Sequence, residues 1–286
     1  MTTVVKVGGA RAVDPAGALA DVASLVADGD DVVLTHGGST AVDETLEALG
    51  EEPTYVETPG GVVGRFTDEG TMDVFKMVMP GKLNTDLVCA LQNDGVNAVG
   101  LSGIDGKLVE GKRKSAVRVL DDGKKKIKRG DHSGTVESVN AELLETLLAS
   151  GYTPVVSVPV LGAEKSGGYT AVNADADRAA AAIAGALEAD LVLLTDVSGI
   201  YEDPDDPSTK IESASTPADL ERVEAAAEGF MMKKVMAAEE ALEGGATSVV
   251  VASANAEAPV TSALAGEGTT LDPGALEEST AEVDAP

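Results

Sequence analysis

Apolar runs of four to six residues, each closed by a glycine or aspartate turn and followed by a stretch of helical period, recur along the chain. Thr3 to Val7, Asp31 to Thr35, Val96 to Leu101, Thr153 to Val158, Leu191 to Thr195 and Ser248 to Val251 read as strands. The helical stretches are Pro15 to Ala27, Thr40 to Leu49, Ala141 to Ser150, the alanine-rich segment that begins at Asn173, Pro217 to Ala227, Met231 to Glu243 and Ala256 to Ala265. Asp68 to Val78 and Gly81 to Gln92 read as two helices broken at Pro80, because proline lacks the amide a helix interior needs. Such alternation, with strands apolar on both sides, implies an α/β fold. The expected architecture is an open three-layer αβα sandwich around a mostly parallel central sheet. The Gly- and Pro-rich stretch Pro53 to Phe66 reads as a hairpin or loop, and the Gly-rich stretch Leu161 to Thr170 as a hairpin. Lys107 to Val136 also reads as a hairpin, around the turn Asp121-Asp-Gly123.

The chain has 286 residues, enough for one large α/β domain in two lobes, and carries 49 acidic against 21 basic residues. A net charge of −28 would push a compact state apart at low salt. At molar salt the Debye length falls to about 3 Å, so the acidity is expected to reflect a host with a high-salt cytosol rather than a partner. No 18-residue apolar run occurs, and the amino terminus enters a strand pattern directly, which leads us to expect a cytoplasmic protein without a membrane partner. The lone cysteine, Cys89, lies in the pattern Leu87-Val-Cys-Ala-Leu91 and is expected in the core. Residues 275–286 are acidic without apolar period and are expected to be a disordered tail.

Basic residues are concentrated. Ten of the 21 lie between Lys107 and Arg129 against three acids, a balance of +7 that leaves −35 for the rest. A basic segment in so acidic a chain is expected to contact something anionic. Nucleic acid is not the expected partner, since Lys124 to Arg129 contains no aromatic residue for base stacking.

Chemistry is expected at the carboxyl ends of the strands, where open α/β sheets bind ligands. Lys6 stands in the first apolar strand, just before Gly8-Gly9, and burying an unpaired ammonium is costly. His36-Gly37-Gly38-Ser39 lies between the second strand and its helix. Both glycine clusters can offer backbone amides to anions. Asn173 and Asp175 could cap the helix that follows or serve a site there. Lys233 and Lys234 are adjacent, so only one can point inward. His36 and His132 have no partner at metal-ligand spacing, and no metal site is expected.

In chain order, Lys6-x-Gly8-Gly9, His36-Gly37-Gly38, Gly64-Arg65-x-Thr67-Asp68, Asn173-x-Asp175-x-Asp177-Arg178, Thr195-Asp196-Val197-x-Gly199-Ile200-Tyr201 and Gly229-x-Met231-x-x-Lys234 resemble the motifs of amino acid kinases, nearest the acetylglutamate kinase branch. The resemblance implies ATP, with Mg²⁺ on its phosphates, as co-substrate and a carboxylate as acceptor. It implies Lys6, Lys234 and Asp177 as catalytic residues, with Asp177 orienting both ammonium groups. Gly37, Gly38, Arg65 and Asn173 would hold the amino acid. Gly8, Gly9, Thr195, Asp196, Gly199 and Tyr201 would border the nucleotide. One domain over 1–274 is implied, with 1–170 as amino-acid-substrate lobe and 171–274 as nucleotide lobe, and the family suggests a homodimer.

Within the branch, Gly111-Lys-Arg-Lys114 with Arg118 resembles enzymes whose amino acid is attached to an acidic LysW-type carrier protein. Lys112, Arg113, Lys114 and Arg118 would then dock the carrier, and glutamate, 2-aminoadipate or both would be phosphorylated. An acetylglutamate kinase acting on free N-acetylglutamate is the alternative. Ser39, where many acetylglutamate kinases carry a third glycine, weighs mildly against it, and the start directly at the first strand leads us to expect no extra amino-terminal helix of the arginine-inhibited kind.

Overall fold

Side chains alternate across a strand, so each central strand must find apolar cover on both faces. The computed structural model describes residues 1–276 except 10–12, 62, 122 and 228. The first half contains β1 (Thr2–Val7), α1 (Ala16–Asp28), β2 (Asp31–His36), α2 (Ser39–Ala48), β3 (Tyr55–Glu57), β4 (Val63–Arg65), α3 (Glu69–Lys76), α4 (Asn84–Asn93) and β5 (Ala98–Gly103). The middle contains β6 (Val109–Asp121), β7 (Lys124–Gly134), β8 (Ser138–Val139), α5 (Ala141–Ala149), β9 (Thr153–Ala163), β10 (Tyr169–Val172) and α6 (Ala176–Ala186). The rest comprises β11 (Asp190–Thr195), β12 (Ile200–Tyr201), β13 (Lys210–Ile211), β14 (Ser213–Ala214), α7 (Pro217–Ala226), α8 (Phe230–Glu243), β15 (Ser248–Ser253), α9 (Pro259–Leu264) and β16 (Thr269–Leu271).

Among the described residues, twelve strands form one sheet. Its centre, β15-β11-β1-β2-β9, is parallel throughout. The first half of β9 also pairs with β5 and its second half with β6, both parallel, while β10 runs antiparallel to β9 and β16 antiparallel to β15 but parallel to β14. Val4, Val33, Leu191, Leu193, Val249 and Val251 pack with the buried faces of α6 and α8. Val5, Val7, Leu34, Val192, Leu194 and Val250 pack with those of α1, α4 and α9. The result is the expected mostly parallel αβα sandwich.

Small residues bring the two site-bearing helices together. The inner face of α6 is Ala179, Ala180, Ala181, Ile183 and Ala184, and a Cβ on Gly185 would lie 2.9 Å from the Gly244 carbonyl carbon at the end of α8. Arg178 on α6 grips Glu240 on α8 through two contacts, at 2.7 and 2.5 Å. Two helices this close can present side chains to one point above β1.

Three expectations are corrected, and one strand was missed. Pro80 does not break the helix: Met77–Leu83 is a π-helical turn joining α3 to α4, closed by a bond from the Asn84 amide to Met79 O. The wider turn accommodates the missing proline amide. Cys89 is exposed, because α4 turns Asn84 and Leu91 inward and leaves position 89 on the outer side. Ala275 is buried in a turn of 3₁₀-helix, Pro273–Ala275, so the tail cannot start there; residues 277–286 lie outside the described residues. The strand β16, which lies between β14 and β15, was not anticipated, since Thr269–Leu271 is too short for a periodic pattern.

Candidate functional site

The period of β1 puts Lys6 on the same face as Val4, under α6 and α8, where it is 5% exposed. A lysine there needs a counter-ion. Asp177, in the first turn of α6, supplies it with Oδ1 at 2.5 Å from Lys6 Nζ. Its Oδ2 accepts from Lys234 Nζ of α8 at 2.9 Å. Burial pushes the Asp177 carboxyl up, but the charges of Lys6 and Lys234 outweigh this and hold it well below the usual carboxylate range. The neighbouring Lys233 points elsewhere and donates to Val63 O of β4 at 2.7 Å.

Helix capping falls to Asp175 rather than Asn173. The Asp175 side chain accepts from the amides of Asp177 (2.9 Å) and Arg178 (3.3 Å), which fixes the turn that aims Asp177 at Lys6. Asn173 is held otherwise: its amide donates to His132 O, its carbonyl accepts from Gly134, and Nδ2 donates to Thr67 Oγ1 at 2.9 Å. Asp131, 2% exposed, ties the same corner by accepting from the Thr67 amide at 3.2 Å and from the Ser133 hydroxyl. Sequence reasoning missed Asp131 and Thr67 as supports of Asn173. A single acid between Arg129 and His132 in a basic segment was the available signal.

The glycine turns after β1 and β2 touch each other. A Cβ on Gly9 would lie 2.0 Å from the Gly38 nitrogen, and one on Gly38 would lie 2.3 Å from Leu83 and 2.5 Å from Met79. Only glycine permits this approach. Gly37 departs from expectation: its amide donates to Val7 O at 2.9 Å, because the β1-β2 ladder runs one residue past β2. The amides that remain at this turn are those of the first turn of α2, which have no intrahelical acceptor, although that of Thr40 donates to Gly9 O at 3.5 Å.

His36, 3% exposed, closes β2 beside this turn with Nδ1 3.1 Å from Gly37 O. Among the described residues its Nε2 has no hydrogen-bond partner. Burial lowers its pKa from 6.5 to about 4; the Gly37 carbonyl opposes this and the Lys6 charge adds to it. The unfolded chain therefore takes up a proton near pH 6.5 that the folded chain refuses until about pH 4. The stability this neutral imidazole contributes is present above pH 6.5 and lost as pH falls towards 4, roughly 3 kcal/mol in all. We expect His36→Gln to flatten that part of the profile in denaturant titrations between pH 7 and 4. A variant with the wild-type slope would show that another group sets it.

Arg65 arrives at the site rim already held. Its Nη1 meets Asp43 Oδ1 of α2, and Nη2 donates to Ser39 O at 3.1 Å and Tyr55 Oη at 2.9 Å. The guanidinium lies 5.0 Å from the Tyr55 ring centroid, so Arg65 braces the β3-β4 hairpin against the start of α2. At the other end of the cluster, Thr195 is buried at the carboxyl end of β11 and Asp196 is exposed beyond it. Gly199 has φ +154° and a Cβ there would lie 2.8 Å from Thr269 Oγ1, which accepts from the Ile200 amide. Tyr201 pairs with Lys210 in the β12-β13 ribbon. Gly8, under Leu194 O, completes the set at the carboxyl ends of β1, β2 and β11.

The four basic residues expected to dock a carrier divide. Lys112 pairs with Glu137 at 2.9 Å, and Arg113 pairs with Glu164, donates to Asp131 O at 3.3 Å and meets His132 Nε2 at 3.0 Å. Lys112 and Arg113 thus have intramolecular partners and close the base of the β6-β7 arm. Lys114 and Arg118 are exposed. No helix among the described residues is long and apolar enough to cross a membrane, and none of their His, Cys, Asp and Glu side chains form a group of three or more able to hold a metal ion.

A parallel αβα sandwich that sets two ammonium groups on one buried carboxylate, beside glycine turns and a helix start, defines a protein that handles anionic groups such as phosphates. The chain belongs to the amino acid kinase family, whose description matches residues 1–253. It is 46% identical to a LysW-aminoadipate kinase of Deinococcus radiodurans over 270 residues, 94% of this chain and 90% of that one. It is 43% identical to an acetylglutamate kinase of Methanopyrus kandleri over 251 residues, 87% of this chain and 93% of that one. In fold it resembles the N-acetylglutamate synthase of Neisseria gonorrhoeae, with a TM-score of 0.74 at 23% identity, covering 97% of this chain and 60% of that one.

Proposed function

We propose that the protein transfers the γ-phosphoryl group of ATP to the side-chain carboxylate of glutamate, 2-aminoadipate or both, carried on a LysW-type protein, giving an acyl phosphate in arginine or lysine biosynthesis. The observation that carries this reading is the Lys6-Asp177-Lys234 cluster. A carboxylate oxygen forms the new bond to phosphorus while the bond to the β-γ bridging oxygen breaks and ADP leaves. The acceptor is already anionic, so no general base is required. Catalysis rests on positioning and fixed positive charge, which Lys6 and Lys234 supply and Asp177 keeps in place. Mg²⁺ would arrive on the nucleotide phosphates and neutralise part of their charge.

Gly8, Gly9, Gly38 and the start of α2 would receive phosphate and carboxylate oxygens, with Thr195, Asp196, Gly199 and Tyr201 bordering the nucleotide. Asn173 and Arg65 would hold the amino acid. Residues 1–170 would then act as the amino-acid lobe and 171–274 as the nucleotide lobe, in a homodimer working in a high-salt cytosol. The greater identity to the carrier-dependent relative and the basic β6-β7 arm favour the carrier-linked substrate over free N-acetylglutamate.

Trapping the product with hydroxylamine tests the reaction class: ATP and acid should yield the hydroxamate and ADP in equal amounts, whereas ADP without hydroxamate would contradict it. Arg65→Ala should raise KM for the amino acid substrate by about tenfold, equivalent to about 1.4 kcal/mol, with KM for ATP nearly unchanged, since the contact is with the unreacting part. Equal loss for both substrates would assign Arg65 to bracing the fold through Asp43 and Tyr55.

A further inference from the structure

One face of the β6-β7 arm is open. From Ala116 to Asp121 the strands pair without a break, with Ala116 opposite Arg129, Arg118 opposite Ile127 and Leu120 opposite Lys125. Directly opposed residues of an antiparallel pair share a face. The intervening residues face the other way, where Val119 is buried and the Lys128 ammonium lies 3.8 Å above the Phe66 ring. That side rests on the body. On the open side Arg118, Lys125, Ile127 and Arg129 are all exposed, Ile127 by 64%.

This face differs from most of the remaining surface in two respects. Many of the chain's other cations meet its own acids, as in Lys82 with Asp86, Lys112 with Glu137, Arg178 with Glu240 and Arg222 with Glu202, although Lys114, Lys124 and Lys165 are exposed without an ion pair among the described residues. Among the described residues, no ion pair engages Arg118, Lys125 or Arg129. With 49 acids for 21 bases, leaving three cations unanswered on one face runs against composition. Ile127 is the second feature, an apolar side chain in the midst of those cations.

We propose that this face is the carrier's seat: carboxylates of an acidic protein meet Arg118, Lys125 and Arg129, and an apolar side chain of that protein covers Ile127. The assignment rests on the carrier-linked reading above and moves the docking set away from Lys112 and Arg113. The arm also leads to the chemistry. At its base Ser133 bridges to Asn173, so a protein seated on the arm borders the residues expected to hold the amino acid. In molar salt the Debye length is about 3 Å, so the cations act through contact and not at range. The apolar contact survives such salt, which gives Ile127 a larger share of the affinity there.

The test titrates an aminoadipate-bearing LysW-type carrier against wild type, Ile127→Ser, and the triple variant Arg118→Gln, Lys125→Gln, Arg129→Gln, in molar and in low salt. Nucleotide affinity and thermal midpoint monitor the fold. Ile127→Ser should weaken carrier binding about tenfold in molar salt, and the triple variant should lose more in low salt than in high. If the triple variant does not fold, Ile127→Ser decides alone. Wild-type affinity in a folded Ile127→Ser variant would overturn the seat while leaving the carrier-linked reading intact. A wild type that does not bind the carrier would overturn that reading and the seat with it. If Ile127→Ser splits an oligomer and leaves carrier binding unchanged, the face joins copies of this chain and the proposal fails.

Discussion

Replacing Asp177 by asparagine should lower turnover by a factor of about 10³ or more and destabilise the fold by about 3–5 kcal/mol, because it removes one partner from a buried set of charges. The carboxylate is 7% exposed and holds an ammonium on each oxygen, Lys6 at 2.5 Å and Lys234 at 2.9 Å. An amide keeps the shape but leaves two like charges side by side without compensation. The same reasoning fixes a pH dependence. The carboxyl is held below its ordinary value of 3.8, so the stability it adds is present above about pH 4 and lost as the pH falls through its lowered pKa. Hydroxamate formation and urea unfolding, measured on the same preparation, report the two effects. Turnover within tenfold of wild type would remove Asp177 from the catalytic set.

Lys6→Ala should have nearly as large an effect on turnover and a smaller one on the fold. One preorganised charge is lost from the transferring phosphoryl group, a loss of about 3–4 kcal/mol or roughly 10²- to 10³-fold in kcat. Asp177 keeps Lys234 as partner, so its charge is not left alone. The two effects should separate in kinetics: kcat falls while KM for ATP and for the acid changes little, because the interaction strengthens only as charge moves onto the transferring group. Turnover within threefold of wild type would assign Lys6 to structure alone.

Much of this arrangement was legible in the sequence for a physical reason. A sheet covered on both faces writes its strands as unbroken apolar runs, and a charged residue inside such a run is costly unless paired. Lys6 is marked in this way, and the small residues of α6 mark a helix able to approach another closely. The spacing after Gly229 selected Lys234 over Lys233, and the contacts to Asp177 and to Val63 separate the two in the same sense. What escaped was whatever depends on partners distant in sequence. Arg65 meets Asp43 across a hairpin, Arg113 meets Glu164 across two elements, and Asp131 holds Thr67 from 64 residues away. Local pattern misled in two places, at Cys89, whose apolar neighbours suggested burial, and at Pro80, where a π-helical turn replaced the expected break.

The substrate is decided by comparing kcat/KM for carrier-linked 2-aminoadipate, carrier-linked glutamate and free N-acetylglutamate, each with ATP and Mg²⁺ in molar potassium chloride. The account predicts hydroxamate-trapped acyl phosphate from at least one carrier-linked acid at a kcat/KM about 10² or more above that of the free one, as the loss of a whole docking surface would imply. Equal or greater kcat/KM on free N-acetylglutamate would contradict it and make the chain an acetylglutamate kinase.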